Sequence, residues 1–65
     1  MRYQLVVRAY PDATVRKAEK MGCEVVGEVG GDLRWRATVV EVEAEEGVVE
    51  RWYAEDGRLV SFKEV

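Results

Sequence analysis

The sequence predicts a small α+β domain, and three observations carry that reading. Segments 2–9, 23–29 and 33–44 alternate apolar and polar residues with the period of a β-strand. Segment 13–21 instead spaces Val15, Ala18 and Met21 at helical intervals. Turn-forming residues punctuate the joins: Tyr10-Pro11-Asp12, Gly22, Gly30-Gly31-Asp32, Glu45-Glu46-Gly47 and Asp56-Gly57.

Sixty-five residues make one domain, 1–65. A chain this short buries only ~60% of the surface it exposes when unfolded. Staples or partners usually make up the stability. One cysteine excludes an intrachain disulfide, and with no histidine a Cys/His zinc site is excluded too. Tight packing or self-association remains, and a homo-oligomer, a dimer first, is expected.

Taken in order, the first strand puts Tyr3, Leu5, Val7 and Ala9 on one row and Arg2, Gln4, Val6 and Arg8 on the other. Proline cannot extend a central strand but suits a helix start, and Asp12 is placed to cap the first turn. The helix over 13–21 has a narrow apolar side, and Gly22 suits its left-handed end. In the second strand Cys23, Val25, Gly27 and Val29 share one row, and Glu24, Val26 and Glu28 the other. Gly30-Gly31-Asp32 signals a hairpin. The longest strand, 33–44, organises the rest. Leu33, Trp35, Ala37 and Val39 make its inner row; Arg34, Arg36, Thr38, Val40 and Val42 make its outer row.

Segment 48–55 admits two readings. Val48, Val49, Trp52 and Tyr53 are good strand formers, and Gly47 is a weak helix former. That gives β-α-β-β-β-β, with one helix on a mostly antiparallel sheet, and it is the favoured order. Helical spacing of the same residues gives the alternative, a ferredoxin-like β-α-β-β-α-β with 45–56 helical. The last strand is 58–64 in either case.

Composition narrows function. Charged residues make up 35% of the chain with both signs interspersed, and the net charge is −3. This is a solvated surface without the bulk charge of a nucleic-acid binder. Nothing resembles a membrane span or a signal peptide, so a cytoplasmic protein is expected. Isoleucine, asparagine and histidine are absent while valine, glutamate and arginine abound, a thermophile-like composition.

Enzyme chemistry finds little footing. Histidine, the commonest general base, is missing. Cys23 follows a helix C-terminus, where the dipole disfavours a thiolate. The carboxylate pairs Glu45/Glu46 and Glu55/Asp56 sit in turns and match no calcium loop. No M-x-C-x-x-C metal-carrier motif follows the first strand. No catalytic residue, cofactor or metal is expected; the exception would be a site at a subunit boundary.

Val6, Val26 and Val40 form the centre of the outer rows, rimmed by Arg8, Arg34, Arg36 and other charges. An apolar centre with a charged rim suits self-association. Trp52 and Tyr53 are expected to anchor a partner, including one that adds a strand at a sheet edge. The expectation is a non-enzymatic interaction and oligomerisation module, joined through a sheet face or edge. The alternative is a nucleic-acid-binding regulator using an arginine-bearing face, although Trp35 would not share a row with Arg34 and Arg36.

Overall fold

The computed structural model describes residues 1–65 apart from Leu33 and Trp35, and apart from the side chains of Val29 and Asp32. Among the described residues the order is β1 (Arg2–Val7), α1 (Pro11–Met21), β2 (Glu24–Asp32), β3 (Ala37–Glu43), α2 (Val48–Glu55) and β4 (Leu59–Glu64). The strands form one sheet in the order β2-β3-β1-β4, with every neighbouring pair antiparallel. The α+β class stands. The element order is the ferredoxin-like alternative, and the strand favoured over 48–55 is corrected to a helix.

Side-chain periodicity explains the helix. In a strand, Val49 and Trp52 would point to opposite faces. In α2 they share one face, and both are completely buried. Burying an indole and a valine outweighs the few tenths of a kcal/mol by which such residues disfavour a helix. Gly47, at φ 91°, is the N-cap, and its carbonyl accepts the Arg51 amide at 3.0 Å. Asp56 closes the other end: its carboxylate accepts Trp52 Nε1 at 3.2 Å and the Arg58 amide at 3.0 Å.

α1 starts two residues earlier than expected, with Pro11 in its first turn. Its N-cap is Tyr10, so Asp12 lies inside the helix and no side chain caps the first turn. Gly22 ends the helix in the left-handed conformation, and the Cys23 amide bonds back to the Ala18 carbonyl at 2.9 Å. Thr14, fully buried, donates its hydroxyl to the Tyr10 carbonyl at 2.9 Å.

The hairpin between β2 and β3 is displaced from its expected place. Gly30, Gly31 and Asp32 belong to β2, opposite Val39, Thr38 and Ala37. β3 is correspondingly shorter, and its rows are the reverse of those expected. Thr38, Val40 and Val42 are buried, while Val39, Glu41 and Glu43 face the other way. Two glutamates on a half-buried strand go to the wet side, and they carry Val39 with them. Leu33 and Trp35, expected in the inner row, lie outside the described residues.

Both helices cover the same side of the sheet. Ala18, Val49 and Trp52 join Tyr3, Leu5 and Val7 of β1 and Val40 and Val42 of β3 in a single buried cluster. Among the described residues, no element covers the other side.

Candidate functional site

The uncovered sheet face is built from the outward rows. Cross-strand pairing sets Val6 against Val39, Gln4 against Glu41 and Arg2 against Glu43. On the β4 side, Ser61 sits beside Val6 and Lys63 beside Gln4. Val6 and Val39 are half-buried by their strand neighbours and take no part in the core. Val26 is 42% exposed, at a register shift where Val25 pairs with Val42 and Gly27 with Glu41. The face therefore has a valine pair toward the Val7 end of β1, followed by the polar pair Gln4–Glu41 and a charged end at Arg2–Glu43. Arg2 reaches Glu43 at 3.3 Å and Glu41 at 3.6 Å, and the Met1 amine reaches Glu43 at 3.0 Å. The amine first, and then Arg2, hold the Glu43 carboxyl below the usual carboxylate range.

Several expected site residues lie elsewhere. Val40 is completely buried and belongs to the core; Val39 takes the outward place. Arg8, Arg34 and Arg36 are exposed but lie beyond the strand ends, because β1 stops at Val7 and β3 starts at Ala37. Trp52 is completely buried in α2 and anchors the core instead of a partner. Tyr53 is 51% exposed, with its ring edge-on to Phe62 at 5.4 Å.

A second feature sits past the end of β1. Arg8, Ala9, Tyr10, Ala13, Arg36 and Arg58 line an open cavity of about 270 Å³. The Arg8 amide donates to the Arg58 carbonyl at 2.7 Å, which ties two of the walls together. Thr38 Oγ1 donates to the Ala9 carbonyl at 2.7 Å and fixes the floor. Arg36 has φ 51°, a left-handed backbone that few residues other than glycine adopt readily. Arg58 was not singled out by sequence reasoning. Its place depends on long-range pairing of β4 with β1, for which no local signal exists.

Other chemistry is sparse. Burial pushes the Cys23 thiol up, away from the reactive thiolate. Burial, followed by the carboxylates of Glu50, Glu64 and Glu46, raises the Tyr3 phenol. Among the described residues no group of three histidine, cysteine or acidic side chains is placed to hold a metal, and no helix is long and apolar enough to cross a membrane. Comparison with protein-family models, curated proteins and solved structures finds no match to this chain.

Proposed function

We propose that this chain is a non-enzymatic homotypic interaction module that pairs with a second copy through the uncovered face of its sheet. The observation that supports this most is the segregation of both helices to one side, with Val6 and Val39 paired on the uncovered side. Apolar side chains beside charged ones on a single face suit such a contact.

The pattern on the face favours one arrangement. A second copy turned over about an axis parallel to the strands, midway between β1 and β3, brings Val6 over Val39 of that copy. The same operation brings Arg2 over its Glu43. These two already pair within one chain, so the dimer joins two pairs into a network of alternating charge. A standard interface takes ~800 Å² from each partner, about a fifth of the 4332 Å² the chain exposes. A broad face supplies such an area and a single edge does not. Strand addition at an edge is disfavoured further by two register shifts in β2 and one in β4. A cytoplasmic location belongs to the same proposal.

Nucleic-acid binding on this face has less support. Tyr3 and Phe62 lie on the helix side, so among the described residues no aromatic ring is offered for base stacking, and Glu41 and Glu43 oppose phosphate.

Light scattering coupled to size exclusion at micromolar concentration tests the proposal. The wild-type chain is expected to elute as a dimer of the 7.4 kDa subunit, and Val39→Arg as a folded monomer with unchanged circular dichroism. A monomeric wild type, or a Val39→Arg variant that still pairs, overturns it.

A further inference from the structure

The geometry points to a second site: the cavity walled by Arg8, Arg36 and Arg58 binds the phosphate group of a small phosphate monoester, whose organic part rests on Tyr10 and Ala13.

The argument begins with charge. The chain carries 13 acidic side chains against 10 basic ones. Three of those ten nevertheless line one cavity, with no carboxylate among the lining residues. Among the described residues, no ion pair holds Arg8, Arg36 or Arg58. The Asp56 carboxylate feels the Arg58 charge, but it is also bonded to the Arg58 amide and the Trp52 indole, and it does not line the cavity. An anion entering the cavity meets three cationic residues and no carboxylate in its lining. Guanidinium is also the side-chain group best matched to phosphate, since it can offer two parallel N–H donors.

Backbone conformation points the same way. Arg36 keeps a positive φ that costs on the order of 1 kcal/mol for a non-glycine residue and that glycine would adopt freely. Strain of this kind concentrates where a side chain is needed in one place. The floor is rigid rather than loose, because the Ala9 and Tyr10 carbonyls accept hydroxyl bonds from Thr38 and Thr14. At the α1 end, the first turn has no side-chain cap and opens near Tyr10 and Ala13.

Size sets the ligand class. Ligand pockets generally begin at ~300 Å³, so a cavity of about 270 Å³ suits a compact molecule. Tyr10 is 51% exposed and presents an aromatic surface at the rim. A monoester brings two negative charges to the three guanidiniums, whereas a nucleic-acid backbone brings only one per phosphate.

The test is a titration followed by calorimetry and by amide shifts, with adenosine 5′-monophosphate, adenosine and inorganic phosphate as probes. The monophosphate is expected to bind saturably and to shift the amides of Ala9, Tyr10 and Ala13. Adenosine is expected not to bind, and inorganic phosphate to bind more weakly at the same amides. Arg8→Ala, Arg58→Ala and Arg36→Gly should each weaken binding about tenfold, the loss of one charge-assisted hydrogen bond. Arg36→Gly should also melt higher than the wild type without ligand, because glycine takes the positive φ without strain. Arg51→Ala, exposed on α2, should bind as the wild type does. Absence of saturable binding, or binding by the three arginine variants as tight as the wild type's, overturns the proposal. So does a single-stranded oligonucleotide without terminal phosphate that binds as tightly as the monophosphate.

Discussion

Val39 and Val40 are adjacent, chemically identical and placed on opposite sides of the sheet, so truncating each to alanine tests the phase of β3 directly. Val40 is completely buried among Leu5, Val7 and Trp52 and their neighbours. Val40→Ala removes two methyl groups, a transfer loss of about 1.6 kcal/mol. The rigid surroundings leave a void of roughly 40 Å³, which adds about 1 kcal/mol. The expected cost is therefore about 2.5 kcal/mol, or a fall in Tm of roughly 10–20 °C for a domain of this size. A domain of this length has only ~3–10 kcal/mol in total, so the loss is severe. Val39→Ala removes the same atoms from the half-buried outward row and should cost less than ~1 kcal/mol. Thermal melts followed by tryptophan fluorescence at nanomolar concentration, where association contributes least, read both numbers. If Val39→Ala costs as much as Val40→Ala, the assignment of the two sides is wrong, and the proposed dimer face falls with it.

Two further outcomes follow from named contacts. A Cβ added at Gly31 would stand 2.5 Å from the Ala37 carbonyl oxygen and 3.2 Å from the Thr38 Cα, both backbone atoms that cannot swing aside, whereas Gly27 has open space. Gly31→Ala should lose about 1–3 kcal/mol in denaturant unfolding while Gly27→Ala stays within ~1 kcal/mol, and equal midpoints would refute the close approach. Asp56 should make stability pH-dependent: the Arg58 amide, and then the Trp52 indole, hold its carboxyl below the ordinary value of 3.8. A lowered folded pKa contributes stability above the ordinary value and loses it as pH falls through the depressed one. Unfolding midpoints of the wild type should thus drop more steeply below about pH 4 than those of Asp56→Asn, and parallel curves would count against the clamp.

Sequence periodicity disclosed the inward row of β1, Tyr3, Leu5 and Val7, because it is uniformly apolar, but it ran the strand to Ala9 where the structure ends it at Val7. It disclosed α1 nearly as well, from Pro11, the helical spacing of its apolar residues, and Gly22. β3 misled for a specific reason. Leu33 and Trp35 suggested an inner row of odd numbers, and that phase was carried through to Val39. Glu41 and Glu43 share the same parity, and their charge was the better guide to which row is wet. Propensity misled over 48–55, where valines and aromatics favour a strand in isolation. What decides is that Val49 and Trp52 can share one core only at helical spacing. The arginine cavity was not legible at all. It depends on β4 pairing with β1 and on a backbone angle at Arg36 that no residue type announces.

The strand order carries a consequence for how the chain reaches its native state. β1 is made first, yet its two neighbours in the sheet are β3 and β4. During synthesis, Tyr3, Leu5 and Val7 therefore emerge without their partners and wait for most of the polypeptide to follow. Loops this long relative to the domain slow the search for native pairing. The nascent chain thus leaves the ribosome with the apolar row of β1 unpaired, and the hairpin of β2 and β3 is the part of the sheet able to assemble from neighbouring sequence before β4 arrives.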